Sequence, residues 1–265
     1  MASLKTTELN AVQEAARDQF ARQSHRYAKG HILQDVSDVA AAVAQINLPA
    51  RAQILDVATG AGNTGLYLAG LGHDVTLADI ARPMLDRALE AASARGLTVK
   101  VQEHPAEKFP NASATFDLVT CRVAAHHFSA PEEFVSESAR VLKPGGSLLI
   151  IDGSIQDGAP EAEEWIHQVE KLRDPSHHRF LTPGQWSRLC ERAGLKVVFS
   201  KLTPFKQPDL DWYFETAATS LENRAAVLKL IENAPESARR IFGLTLEEGR
   251  IVWWLERLAL IARKG

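Results

Sequence analysis

Ile54-Leu55-Asp56-Val57-Ala58-Thr59-Gly60-Ala61-Gly62-Asn63-Thr64-Gly65 is the stretch that decides how this chain folds. Its apolar start, Ile54, Leu55 and Val57, fits a buried strand. The strand runs into a turn carrying Gly60 and Gly62, after which Leu66, Leu68, Ala69 and Leu71 follow a helical period. Glycine lets a backbone approach a ligand where a Cβ would collide. A helix opening near Thr64 aims unpaired N–H groups at the same spot. Strand, glycine turn and helix in this order hold a nucleotide-like cofactor at the carboxyl end of a parallel strand.

Outward from this turn, strands and helices alternate. Residues 74–78 read as a second strand, 83–95 as a helix closed by Gly96, and 99–102 and 116–121 as strands three and four. The helix over 131–142 opens on Pro131, Glu132 and Glu133, which suit the dipole of a first turn. Lys143-Pro144-Gly145-Gly146 ends it, and 147–152 form strand five. Repeated strand–helix units imply right-handed crossovers and an α/β fold with a parallel sheet covered on both faces. Upstream, 8–23 and 35–46 carry amphipathic helical patterns. Downstream, 160–172 is helical, and Thr182 with Gln185 spells a capping box. Residues 196–201 read as strand six, 209–242 as helix-rich with a break at Pro235, and 251–262 as a last strand. No repeat or linker divides the chain. One domain over 1–265 is expected, with a core at about 50–152, N-terminal helices within 8–46, and cap elements at 153–180 and 209–242.

Two readings compete for the loop. Gly60-x-Gly62-x-x-Gly65 matches the dinucleotide pattern literally, with Asp79 where a ribose-binding acid stands. Asp56-x-Ala58-x-Gly60-x-Gly62 instead resembles the first motif of class I S-adenosylmethionine (SAM) methyltransferases, with Ala58 at the family's first glycine. Asp56 separates the two, since a carboxylate at the strand end suits a cationic methionine group and sits badly beside a pyrophosphate. An NAD-dependent oxidoreductase would also want a Tyr-x-x-x-Lys pair, which is not evident. The third reading, a protein that binds SAM without catalysis, has no need of a polar acceptor edge.

The resemblance runs from about 50 to 152. Asp79 after strand two, Phe116-Asp117-Leu118-Val119 and Arg140-Val141-Leu142-Lys143-Pro144-Gly145-Gly146 follow in the family's order. The chain is most similar to the UbiE-like and YcgJ-like small-molecule group. Its flanks add Tyr27-Ala28-Lys29-Gly30, Arg122 with His126-His127-Phe128, and Arg173-Asp174-Pro175-Ser176-His177 to the likeness. The resemblance implies a Rossmann-like, seven-stranded, mostly parallel sheet whose last, tryptophan-bearing strand is antiparallel. It implies SAM as cofactor and S-adenosylhomocysteine as product. Ala58, Gly60 and Gly62 would border the methionine part and sugar, and Asp56 the sulfonium–amino end. Asp79 would accept both ribose hydroxyls. Ile80 and Met84 would cover the adenine, and Ala106 and Glu107 would flank its amino group, with Pro105 replacing the family's aspartate. Arg122 would stand near the methionine carboxylate, and Tyr27 at the front of the pocket. Each has a plainer reading: Asp79 as a helix cap, Arg122 as partner of a nearby acid, Ile80 and Met84 as core, Tyr27 as surface.

Methyl transfer is an in-line displacement at carbon. The protein aligns the acceptor, excludes water and removes a proton where the acceptor carries one. His126 and His127, after strand four at the carboxyl edge, are the candidate bases, because histidine titrates near about pH 6.5. Neighbours on an extended segment point apart, so one of the two is expected to face the acceptor. Arg173 and His177 are candidates for acceptor recognition or for a solvated helix end. Most of Trp165, Trp186, Trp212, Phe205 and Phe214 read as core, with one or two lining a flat acceptor site.

The 265 residues carry a formal charge of −3 and no basic run, which argues against a nucleic-acid partner. Cys121 and Cys190 are far apart and make neither a metal-ligand spacing nor a disulfide framework, so no metal is expected. No apolar run reaches membrane-spanning length. A soluble, cytoplasmic monomer or homodimer acting on a small-molecule acceptor is the expectation.

Overall fold

Seven strands form the sheet: β1 (Gln53–Val57), β2 (Asp74–Asp79), β3 (Lys100–Glu103), β4 (Phe116–Arg122), β5 (Leu142–Ser154), β6 (Leu195–Lys206) and, last in the chain, β9 (Trp254–Lys264). The computed structural model describes residues 9–23, 32–207, 209–247 and 250–265. The strand order is β3-β2-β1-β4-β5-β9-β6. β1 to β5 are parallel, and β9 inserts antiparallel between β5 and β6. This is the Rossmann-like sheet with an antiparallel last strand that the sequence implied. Chain order reverses between β1 and β4, so the loops after both strands open on one crevice at the carboxyl edge.

Helices α1 (Ala11–Gln23), α2 (Ser37–Val43), α3 (Asn63–Gly70), α4 (Arg82–Ala94), α5 (Pro131–Val141), α6 (Pro160–Arg173) and α7 (Pro183–Arg192) surround the sheet. Strand alternation sorts the core. Ile54, Leu118, Leu149 and Ile151 face a layer that includes Val39 of α2, Leu66 of α3 and Leu85 of α4. Leu55, Val119, Leu148 and Ile150 face Phe134 of α5 and Trp186 of α7. Each such side chain contributes roughly 1.5–3 kcal/mol when fully buried. Cys121 and Cys190 are free and belong to this second layer. Thr182 and Gln185 form the capping box of α7.

A third core lies over the carboxyl edge. Trp165 and Ile166 of α6 meet Tyr213 and Phe214 of α8 (Leu210–Ala217), Val227 of α9 (Leu221–Glu232) and Ala238 of α10 (Glu236–Ile241). The cap also holds a hairpin of β7 (Thr245–Glu247) and β8 (Arg250–Val252). The expected single strand over 251–262 is therefore two. Trp253, buried in the cap core, separates β8 from β9. Lys143-Pro144-Gly145-Gly146 does not simply close a helix either. It lies within β5, where the register against β4 shifts between Phe116 and Leu118. No helix among the described residues is long and apolar enough to cross a membrane.

Candidate active site

The glycine loop is held by carboxylates that bind its backbone. Asp56, at 1% exposure, accepts hydrogen bonds from the Thr59 hydroxyl (2.5 Å), the Gly65 amide (3.0 Å) and the Thr120 hydroxyl (2.7 Å). Burial pushes its pKa up, against the pull of these bonds. Asp79 accepts from the Gly60 amide and from the Ala81 amide at the start of α4, both at 2.9 Å. Burial raises its pKa to about 6. Ala58, Gly60 and Gly62 all have positive φ, at 52°, 55° and 85°. A Cβ on Gly65 would stand 2.1 Å from Leu77 Cδ2, so this glycine brings α3 down on β2. A Cβ on Gly60 would meet nothing within 4 Å, because this glycine borders open space.

That space is a cleft of about 830 Å³. Ala58, Gly60, Asp79, Ile80 and Met84 line one end, with Ala106, Glu107 and Arg122 further along. Asp56 is not among the lining residues, since its carboxylate turns under the loop. Glu107 is fully engaged, accepting from the Ser129 amide and hydroxyl (2.9 and 2.8 Å) and from Gln13 of α1 (2.9 Å). Arg122 clamps the N-terminal segment. It donates to Leu33 O (2.9 Å), Asp35 O (2.6 Å) and Asp38 (3.0 Å), the acid-paired alternative weighed for it. Met84 lines the cleft while 1% exposed. Tyr27 lies outside the described residues.

His104, which sequence reasoning missed, also lines this cleft. Its Nδ1 lies 2.9 Å from Pro105 O, which can only accept, so the proton sits on Nδ1 and Nε2 is an acceptor. Nε2 is buried without a partner, and burial lowers the ring's pKa, keeping it neutral.

After β4 the chain bends sharply. Val123 has φ 52°, a strained value for a β-branched residue, and it borders the cleft. The bend leads into a short 3-10 turn, Ala125–His127, which lifts both histidines over the carboxyl edge. His126 is anchored twice on Asp152 at the end of β5, through its amide (2.8 Å) and through Nδ1 (2.7 Å). Burial opposes a charge on His126, but the Asp152 carboxylate outweighs it and raises the pKa. His127 stacks beside it with ring centroids 4.1 Å apart. Its Nδ1 donates to Ser176 O (3.1 Å), since the Ser176 hydroxyl is spent on Asp174 (2.6 Å). Burial, then the neighbouring His126, lower the His127 pKa.

His127, with Phe20, Leu33 and Val123, stands between the cleft and a second, partly open chamber of about 970 Å³, solvent included, beneath the cap. His127 borders both spaces, and His126 the second. Phe205 and Trp212 line the chamber, whereas Trp165, Trp186 and Phe214 are core. Arg173 lines it too, yet its guanidinium is committed to Glu170 (3.1 Å), Tyr213 O (2.9 Å) and Thr216 (3.0 Å). Tyr213 donates to the other Glu170 oxygen at 2.6 Å. His177 is buried behind His126 and Phe180, with neither ring nitrogen partnered and its pKa driven down by burial. Asp152 ends a strand the sequence had located; only the fold shows which side chain it meets.

The methyltransferase domain family matches residues 55–150, the span from β1 to β5. A putative methyltransferase from Bacillus halodurans of known structure is 30% identical, with a TM-score of 0.81 covering 86% of this chain and 99% of that one. The chain belongs to the SAM-dependent methyltransferase family. The YcgJ protein of Bacillus subtilis, an uncharacterized methyltransferase, is 26% identical over 86% of this methyltransferase and 90% of its own length. Its crystal structure matches with a TM-score of 0.78. A tRNA 5-carboxymethoxyuridine methyltransferase from Escherichia coli is 28% identical over 78% of this chain and 86% of its own. SAM is thus the cofactor. The site fits it, because the Gly60 cradle is open and Asp79 keeps lone pairs beyond its two backbone bonds.

Proposed function

We propose that this methyltransferase methylates a small organic acceptor held in the chamber beneath the cap, with His126 as general base. One observation carries the reading: the 2.7 Å bond between His126 Nδ1 and Asp152. It fixes the proton on Nδ1 and leaves Nε2 as the basic nitrogen of a residue that lines the chamber. SAM supplies the activated methyl group. On the cofactor side, Asp79 accepts the ribose hydroxyls, while His104, which lines the cleft, turns its now buried and unpartnered Nε2 to the adenine amino group, an acceptor that Pro105 cannot supply. His127 forms the partition across which methyl donor and acceptor meet. The apolar and aromatic lining of the chamber and the net charge of −3 favour a small molecule over a nucleic acid.

The test is His126→Ala. A general base is worth ~10²–10⁴-fold. Turnover of any acceptor found by screening falls by that order while S-adenosylhomocysteine binding persists. Unchanged turnover would remove His126 from the chemistry.

A further inference from the structure

The sequence offers Arg173 as the cation for an acceptor, but the structure spends it on Glu170, Tyr213 and Thr216. The other guanidinium lining the chamber is Arg257, near the start of β9. Because β9 runs antiparallel, its first residues lie at the carboxyl edge, where Arg257 pairs in register with Gly153, next to Asp152. Its side chain is 22% exposed and stacks over Phe205, with the guanidinium carbon 4.5 Å from the ring centre.

Most acids around Arg257 are engaged elsewhere. Asp38, its acidic partner among the described residues, is 3.6 Å away, longer than a hydrogen bond, and already grips Arg122 at 3.0 Å. Asp35 is exposed and holds the Ser37 amide. Asp152 holds His126 and the Gly153 amide. Glu170 takes Arg173 and Tyr213, one on each oxygen, and Asp174 binds Ser176. Glu256 also lines the chamber; one of its oxygens accepts from Gln156 (3.5 Å), the other has no partner, and neither bonds Arg257. A guanidinium presents five N–H donors in a planar fork shaped for a carboxylate. Arg257 thus keeps unmet donors where the chamber adjoins a second hollow against α2 that holds Asp38 and Arg122, and it is backed by an aromatic ring.

We infer that Arg257 binds the acceptor's carboxylate, so that this methyltransferase acts on an aromatic or other flat acid whose ring lies among Phe180, Phe205 and Trp212. The inference rests on the chamber being the acceptor site. Arg257 is a binding residue and takes no part in proton transfer.

The probe pair is benzoate and benzamide, alike in shape and unlike in charge, titrated by calorimetry with and without S-adenosylhomocysteine. The expected result is saturable benzoate binding by the unmodified protein, at least roughly tenfold tighter than benzamide. Arg257→Gln binds the two alike, and Arg257→Lys, with charge but no fork, falls between. S-adenosylhomocysteine binding by Arg257→Gln matches that of the unmodified protein, which shows the variant folded. Equal binding of the two probes, no saturable benzoate binding, or a preference that survives in Arg257→Gln would overturn the proposal. Failure of S-adenosylhomocysteine to bind the unmodified protein would instead strike the cofactor reading, and the titration without it still decides the carboxylate question.

Discussion

The cleft and the chamber beneath the cap share a wall of Phe20, Leu33, Val123 and His127 and are built on different plans. In the cleft, carboxylates bind backbone: Asp56 takes the Gly65 amide, and Asp79 those of Gly60 and Ala81. Around the chamber, carboxylates bind cations: Glu170 takes Arg173 and Asp152 takes His126, as Asp38 does with Arg122 beside the cleft. A carboxylate that shapes a loop sits at fixed spacing from it, so the first plan leaves a motif. A pair between side chains needs only that two segments meet in space, and it leaves none. The comparison predicts that cleft substitutions change binding and backbone stability, whereas chamber substitutions change rate and its pH dependence.

The largest effect is expected at Asp152. In Asp152→Asn, His126 loses its carboxylate, so its pKa falls and its tautomer is no longer fixed. The base works only when neutral. In the unmodified enzyme, turnover therefore rises with pH through a limb above about 6.5, because the His126 pKa is raised. Asp152→Asn moves that limb to lower pH and lowers the plateau by an amount approaching the ~10²–10⁴-fold worth of the base. A kcat profile with an unmoved limb would detach Asp152 from the chemistry. The stability sign is the reverse of an acid's. A raised histidine stabilises the fold below its unfolded pKa, and that contribution is lost as pH climbs through the folded value.

Asp79 gives the next effect, and it belongs to the cleft. Its pKa of about 6 against an unfolded value near 3.8 means that the native state binds the extra proton between these limits. Stability then falls as pH rises through this window, by about 3 kcal/mol from this group alone. Subtracting the curve of Asp79→Asn from that of the unmodified protein isolates the slope, and a flat difference would contradict it. Ribose hydroxyls donate to the ionised form, so S-adenosylhomocysteine binding strengthens as pH rises through about 6. It releases a proton there, which calorimetry in buffers of different ionisation enthalpy detects. His104→Phe keeps the ring and removes the acceptor. One lost hydrogen bond of about 1 kcal/mol weakens S-adenosylhomocysteine roughly fivefold. Unchanged affinity would leave the adenine amino group without this partner.

Much of the sheet was legible because its apolar runs alternate faces at period two, as Ile54 and Leu55 do between the two core layers. The antiparallel place of β9 came from resemblance rather than periodicity, since an apolar run does not encode direction. The break at Trp253 was hidden because a tryptophan in an apolar run reads as strand whether it pairs or plugs a cap. Around the cleft, the place of Gly60 and Asp79 in its wall was legible from spacing, whereas Gly62 packs against Leu66 and Ala88 outside the lining. Asp152, Arg257 and His104 did not show themselves, because each depends on a neighbour distant in sequence or on an atom left unpaired. The bonds of Arg173 were hidden for the same reason: its partner Tyr213 lies forty residues on, across the cap.

The smallest prediction bears on Ala58, where this chain departs from its family. The family's first glycine is replaced by a residue held at φ 52°. A left-handed residue with a Cβ costs roughly 1–2 kcal/mol. Ala58→Gly relieves that strain but returns about 0.4–1 kcal/mol of freedom to the unfolded chain. The balance runs from about zero to about 1.6 kcal/mol, read as a melting temperature higher by roughly 2–4 °C for each kcal/mol gained. Val123, at the same φ between cleft and chamber, makes the contrast. Val123→Gly relieves more strain, since a β-branched residue suits φ > 0 least. It also loosens the bend that delivers His126 and His127, so it lowers turnover where Ala58→Gly does not. If both variants stabilise and both keep full turnover, the strain at Val123 serves the backbone alone, and the chamber's histidines are held by Asp152 and Ser176 without it.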